Sequence, residues 1–279
     1  MKTLKRLVTI LISGLVWILG RTVIGRYFQN QVVMASMEQT MHISHRSLEY
    51  VLTTPNTLCH FRAESFSTKE PETLEWIDGF PERSVLWDVG ANIGLYSVYA
   101  AKERGCEVWA FEPSVFNLEC LARNTFLNQV VSRVYIVPLA LNDKSGPNTL
   151  NMTSKEWGGA LSTFGKDYGW DGKKMDRVFS FQTFGLSMDD ALEKIGIPQP
   201  DYIKMDVDGI EHLILSGGIK VLHGVKGLLI EVNDDFLEQA GGCKRILEQA
   251  GLVLKEKRHS DMISSSAFSH AFNQIWIRP

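Results

Sequence analysis

Apolar and polar positions along most of the chain follow the rhythm of short strands separated by helices. Val85–Val89 is a brief apolar run, Gly94–Arg104 is helical in composition, and Glu107–Phe111 is a second apolar run. A strand, a helix and a strand within about 30 residues make a βαβ unit. The alternation continues with a helix over Ser114–Asn128, strands over Val134–Pro138 and Tyr202–Asp206, and a helix beginning near Gly209. Further strands are predicted at Gly227–Val232, Leu252–Lys257 and Phe272–Ile277. Strands interleaved with helices predict an α/β fold, with a mostly parallel sheet covered on both faces.

Three stretches break this rhythm. Between Asn142 and Gln182, Gly, Ser, Asp and Lys mix with Trp157, Phe164, Tyr168 and Trp170. So long a connection reads as a lid or functional insertion over residues 142–182, or else as a β-hairpin or surface loop. Its tryptophans are expected to be exposed and to line an acceptor pocket. Residues 29–83 are mixed in pattern, with a turn at Thr53-Thr54-Pro55-Asn56 and a short helix opening at Glu70-Pro71-Glu72-Thr73. They are expected to cap a main domain of residues 84–279. At the amino terminus, Lys2, Lys5 and Arg6 precede an uncharged run from Leu7 to Leu19, followed by Gly20 and Arg21. The run falls short of the roughly 20 apolar residues of a spanning helix. Residues 1–28 therefore read as a membrane-surface or signal-anchor segment, or as a helix packed on its own domain or on a second subunit. A cleaved secretory signal would want a small-x-small site directly after the run, and none is there.

A chain of 279 residues, 44% hydrophobic and 22% charged, suits one catalytic domain with an appendage. A net charge of -3 gives no chain-wide attraction to nucleic acid, so a nucleic-acid substrate is not expected. Cys59, Cys106, Cys120 and Cys243 are scattered, with no C-x-x-C pair and no histidines at ligand spacing. They are expected to be reduced, buried thiols of a cytoplasmic protein.

Candidate chemistry gathers where strands meet helices. Asp88-Val89-Gly90-Ala91-Asn92-Ile93-Gly94 closes the first strand of the unit, where glycines permit a tight turn and close approach of a cofactor. A nicotinamide-binding turn would read G-x-G-x-x-G, whereas here Asn92 occupies the second glycine position. Glu112 ends the second strand, where a carboxylate can accept hydrogen bonds from the ribose of an adenosine-containing cofactor. The alternative for Glu112 is a capping or surface role, and for Asp88 a turn role. Asp206 and Asp208 sit at a later strand-to-helix junction on the same sheet edge. Asp208 and Glu211 also have the spacing of a capping box, and Asp206, Asp208 and Glu211 together could hold a divalent ion. His212 falls opposite the helix face marked by Ile210, Leu213, Ile214 and Gly217, and is expected to face solvent.

Four motifs in order resemble the FkbM family of S-adenosylmethionine (SAM)-dependent methyltransferases. They are Trp87-Asp88-Val89-Gly90-Ala91-Asn92-Ile93-Gly94-Leu95-Tyr96-Ser97, Phe111-Glu112-Pro113-Ser114, Ile203-Lys204-Met205-Asp206-Val207-Asp208-Gly209-Ile210-Glu211 and Leu229-Ile230-Glu231-Val232. The resemblance implies a class I SAM-methyltransferase (Rossmann-like) fold with a seven-stranded, mostly parallel sheet whose last strand is antiparallel. It also implies methyl transfer to a hydroxyl of a sugar, polyketide or other small metabolite. Asp88, Gly90, Ala91, Asn92 and Gly94 would then surround the cofactor, Glu112 would take its ribose, and Asp206 and Asp208 would be the bases. Two other functions fit the same residues: a nicotinamide-dependent oxidoreductase, and a non-catalytic methyltransferase-like binding protein.

Overall fold

The computed structural model describes residues 2–259 and 268–279. Two helices, α1 (Lys2–Leu19) and α2 (Val23–Met37), lead into a hairpin of β1 (Thr40–His45) and β2 (Leu48–Thr53). Helices α3 (Thr57–Glu64) and α4 (Pro71–Asp78) follow, each started by its own sequence signal. Asn56 Oδ1 accepts the Cys59 N–H at 2.8 Å, and Pro71 occupies the first turn of α4, where its missing N–H costs nothing.

The predicted alternation then appears as β3 (Val85–Val89), α5 (Leu95–Glu103), β4 (Glu107–Phe111), α6 (Val115–Leu127) and β5 (Val134–Val137). After it come β6 (Ala140–Leu141), β7 (Gly146–Met152), β8 (Ser162–Phe164), β9 (Phe179–Leu186), α7 (Met188–Glu193), β10 (Tyr202–Met205), α8 (Glu211–Ser216) and α9 (Ile219–Gly224). The chain ends with β11 (Gly227–Asn233), α10 (Leu237–Gln249), β12 (Val253–Arg258) and β13 (Ala271–Ile277). Seven strands form the main sheet in the order β12-β13-β11-β10-β3-β4-β5. Of these, β13 runs antiparallel to both neighbours, β11 and β12, while the other pairs are parallel. This is the class I SAM-methyltransferase fold. Its central strands are continuous apolar runs because each face carries its own core. Trp87, Ile203 and Ile230 face one core, while Leu86, Val108 and Ala110 face the other.

The cap shares that second core: Tyr50, Phe66, Leu74 and Ile77 pack with Val98 and Tyr99 of α5. Two asparagines of α6 complete its attachment. Asn124 Oδ1 accepts the Thr53 N–H at 2.7 Å, and Asn128 both accepts from and donates to the Val51 backbone. The edge of β2 is thereby satisfied by side chains rather than by another strand.

Residues 142–182 carry more structure than their composition suggests. β6, β9, β7 and β8 make a second, four-stranded sheet, with β7 and β9 paired antiparallel from Gly146↔Gly185 to Met152↔Phe179. Helix α10, which no predicted element anticipated, packs on α8. That contact corrects the expectation for His212, which is buried, its ring edge-on to Phe236 and its Cβ close against Gly242. The helix has apolar neighbours on two sides, so a single apolar stripe does not locate its solvent face. The large apolar side chains of α1 are exposed, so it is not packed on its own domain.

Candidate active site

The loop after β3 is shaped by what stands behind it. Gly90 has φ +83° and lies so close to the end of β10 that a Cβ there would sit 1.9 Å from the Asp206 carbonyl oxygen. Only glycine meets both demands. Its N–H and that of Ala91 both donate to the Phe111 carbonyl, at 3.0 and 3.1 Å. Asn92 also takes a positive φ, which asparagine tolerates, and Gly94 does so where α5 begins. Asp88 lies beneath the loop, fully buried, and accepts the Ser97 hydroxyl at 2.5 Å. Burial raises its carboxyl above the usual range, with Lys204 and Ser97 opposing. It does not line the cavity in front of the loop, so its place is that of a support.

That cavity, of about 360 Å³, falls within the roughly 300–1,000 Å³ of small-molecule sites. Gly90, Ala91, Asn92 and Glu112 form one wall of it. Glu112 is buried at the end of β4. Its Oε2 accepts the Asn92 N–H and its Oε1 the Ser114 N–H, each at 2.8 Å. Burial pushes its carboxyl up to about 7, against the downward pull of those amides. The Asn117 side chain is a third donor, and a carboxylate with about four acceptor sites still has capacity for one more. The residues present fit the adenosine and methionine parts of SAM: a loop without side-chain bulk at Gly90 beside a carboxylate with acceptor capacity.

The opposite wall is charged. Lys204, on β10 and only 2% exposed, places Nζ 3.3 Å from Asp206 Oδ2. Burial alone would lower its ammonium, but Asp206, Asp88 and Glu70 outweigh burial and raise it. Glu70 of the cap pairs with Lys69, and these cations with the Tyr96 hydroxyl hold it at about 2 despite burial. Asp208, at φ +63°, turns to the insertion: Oδ2 accepts the Leu161 and Ser162 N–H groups at 2.7 and 3.2 Å. Burial, then Asp206 and Glu211, push its carboxyl up to about 7.

Glu211 accepts the Val207 and Gly209 N–H groups and the Gln239 amide, outside the cavity. The capping box is therefore not formed: α8 starts from Ile210 without a side-chain cap, Glu211 accepts from Val207 and Gly209 rather than from Asp208, and Asp208 binds a different segment. Among the described residues, no three His, Cys, Asp or Glu side chains gather as a metal-ligand set.

Glu231, at the end of β11, also lines the cavity and makes no hydrogen bond to any described residue. Burial, then Asp206, Glu70 and Asp208, raise its carboxyl well above the ordinary range. Sequence reasoning quoted it in a motif and assigned it nothing. The available signal was its position at the carboxyl end of the strand beside β10, in register with Asp206 through Met205↔Ile230.

The insertion closes the cavity with Gly159, Ala160, Leu161 and Ser162 rather than with its tryptophans. Trp157 is half-buried and donates to Glu119 at 3.1 Å, and Trp170 packs on Phe268 at 4.4 Å. Gly159 is the junction: its carbonyl accepts from Asn92 Nδ2 at 2.8 Å and from Asn117 Nδ2 at 3.0 Å.

Residues 88–264 match the family model described as Methyltransferase FkbM domain. The chain belongs to the FkbM methyltransferase family. Among curated relatives of this FkbM-family chain is the hexuronic acid methyltransferase AglP of Haloferax volcanii, 28% identical over 159 residues, or 54% of this chain and 57% of that protein. Another is the 31-O-demethyl-FK506 methyltransferase FkbM of Streptomyces tacrolimicus, 27% identical over 154 residues, or 48% and 58%. The FkbM-family chain thus spans somewhat over half the length of the curated relatives it matches. Among solved structures, M. jannaschii TYW2 in complex with AdoMet aligns at 13% identity over 87% of this chain and 88% of that one, with TM-score 0.43.

Proposed function

We propose that this chain transfers a methyl group from SAM to a hydroxyl of a small metabolite, with a sugar as the first class to test. The observation that carries this reading is one cavity with a glycine-walled, Glu112-bearing side and a carboxylate-rich side opposite. SAM supplies an electrophilic methyl on a sulfonium centre; a hydroxyl acceptor must lose its proton as the new O–C bond forms and the C–S bond breaks. Gly90, Ala91, Asn92 and Gly94 shape the cofactor wall, Asp88 supports it through Ser97, and Glu112 receives the ribose. Asp208 spends one oxygen on the insertion and so positions the wall. Asp206, ion-paired with Lys204, is the base. Glu231, whose carboxylate has no hydrogen-bond partner among the described residues, takes a neighbouring hydroxyl of the acceptor. Residues 1–28, 29–83 and 84–279 serve as amino-terminal segment, cap and methyltransferase domain.

The alternating hydroxyls of a glycoside suit several carboxylates in one wall, and the two curated relatives are named for a hexuronic acid and an O-demethylated macrolide. The test is conversion of SAM to its demethylated product in the presence of glycosides, uronic acids and macrolide alcohols. SAM binding by calorimetry is measured alongside, with NAD as control. SAM binding without turnover on any acceptor would leave a binding protein. Binding of NAD in place of SAM would restore the oxidoreductase reading.

A further inference from the structure

The first 37 residues do not resemble the rest of the molecule in charge or in surface. They carry Lys2, Lys5, Arg6, Arg21 and Arg26 and no acidic residue. That is +5 in a chain whose net charge is -3, which leaves -8 elsewhere. Their apolar side chains are exposed: Leu11 is 73% exposed and Ile24 82%. The two helices nevertheless form one unit. Gly25 approaches α1 so closely that a Cβ would stand 2.0 Å from the Leu19 carbonyl oxygen. Thr22 caps α2 by accepting the Gly25 N–H at 2.9 Å, and Gln29 reaches across to the Val16 carbonyl.

From these features we infer that α1 and α2 form a hairpin that embeds in one leaflet of an anionic lipid bilayer. This inference rests on residues separate from the catalytic reading. A protein partner covers one stripe of a helix, with spacing i, i+3, i+4, i+7, and leaves the opposite face polar. On α1 the exposed apolar residues Ile10-Leu11-Ile12 and Leu15-Val16-Trp17-Ile18 cover most of the circumference, and Arg6, Thr9 and Ser13 fall in one narrow polar stripe. An apolar arc this wide exceeds the stripe that one protein partner covers, and it suits acyl chains with the basic, polar stripe turned toward lipid headgroups. Among the described residues no helix is long and apolar enough to cross a membrane. The uncharged run Leu7–Gly20 extends roughly 21 Å as a helix, too short to cross a hydrocarbon core of about 30 Å and able to enter one leaflet of about 15 Å only at a tilt. Arg21, stacked 3.6 Å from the centre of the Trp17 ring, and Arg26 beside it mark the turn of the hairpin with positive charge. The negative remainder of the chain would be repelled by anionic lipid, so attraction is confined to this hairpin.

The test is flotation of the full-length protein with vesicles of phosphatidylcholine alone and of phosphatidylcholine with phosphatidylglycerol, at low and high salt. The expected result is stronger binding to the anionic vesicles, a bound fraction that survives high salt, and a loss of at least about tenfold in Leu11→Asp/Leu15→Asp, since an aspartate is strongly disfavoured in hydrocarbon. The double variant should melt like the unaltered protein, because neither side chain touches the domain core. Quenching of tryptophan emission by brominated acyl chains should largely disappear in Trp17→Phe. Failure to float with either vesicle, or flotation unchanged in the double variant, would overturn the inference. Quenching that survives Trp17→Phe, or a discrete oligomer that α1 substitutions dissolve while lipid binding is absent, would do the same.

Discussion

Replacing Glu112 by glutamine should damage both stability and cofactor binding, and the geometry sets the scale of each. The two carboxylate oxygens each accept a backbone amide, from Asn92 and from Ser114, at 2.8 Å. A glutamine has one oxygen, so its NH₂ must face the other amide. An unpaired buried donor costs about 1–3 kcal/mol. The Tm should fall by roughly 2–4 °C per kcal/mol for a domain of this size. SAM affinity should also fall, because a hydrogen bond to a charged acceptor contributes about 1.5–3 kcal/mol, or roughly ten- to a hundredfold in Kd. A second signature comes from the carboxyl itself, which burial pushes up to about 7. As pH falls through that value, Glu112 takes a proton and loses acceptor capacity, so the unaltered protein should bind SAM less tightly while Glu112→Gln does not follow. Differential scanning calorimetry and titration calorimetry across pH measure all three effects. A variant that melts like the unaltered protein and binds SAM as tightly, or that keeps the same loss of affinity at low pH, would refute the assignment of Glu112.

Asp206→Asn should lower kcat by about 10²- to 10⁴-fold with SAM affinity largely kept, whereas Glu231→Gln should mainly raise the acceptor KM. Steady-state kinetics of both variants on one acceptor would separate these roles, and equal kcat losses would merge them. The folded protein should melt higher at about pH 6 than at about pH 8. Glu112 and Asp208 are raised by burial to about 7, so they bind more protons folded than unfolded, and their contribution falls as pH rises from about 4.5 to 7. A Tm that climbs steadily over this range would contradict that. His212→Leu should leave stability unchanged or raise it, since neither buried ring nitrogen has a hydrogen-bond partner among the described residues and Glu238 stands 3.8 Å from Nε2; a clear drop in Tm would mean that the imidazole–Glu238 contact is stabilising.

Much of the main sheet was legible because its signals are local. Val85–Val89 and Glu107–Phe111 are apolar runs of strand length bounded by turns, and both strands have those bounds. That Gly90, Ala91, Asn92 and Glu112 share one cavity wall was legible for the same reason, since glycines and a carboxylate at adjacent strand ends need no distant partner to be placed together. The second sheet was hidden by β7, whose Gly-Pro-Asn-Thr opening is poor strand sequence and which is held by pairing with β9. A period-two signal, Phe179, Phe181 and then Phe184, was available in β9 but is broken by the last step. Helix α10 carries Gly241 and Gly242, which lower helical propensity, yet Gly242 is required because His212 lies against it. The roles of Lys69, Glu70 and Lys204 could not be read locally: the ion pairs Lys69–Glu70 and Lys204–Asp206 are near neighbours in sequence, but the charges of Glu70 and Lys204 act on each other across more than a hundred residues of chain.

Those long-range pairings imply that acceptor recognition and cofactor binding share supports while using different residues. The Gly159 carbonyl is bonded by Asn92 of the cofactor loop and by Asn117 of α6, and two residues on, the Leu161 and Ser162 amides are bonded by Asp208. The inner edge of the insertion is therefore fixed to both walls of the cavity by backbone atoms, which any side chain can supply. Its outer part, from Lys166 to Arg177, makes none of these bonds. Substitution there should leave Asn92 and Asp208 undisturbed, whereas a change in the path of residues 159–162 would reach both. On the proposed reading, acceptor preference is then set by side chains that line the cavity away from that inner edge, among them Arg62, Lys69 and Glu70. Physical selection acts on backbone geometry at the inner edge and on side-chain chemistry at the rim.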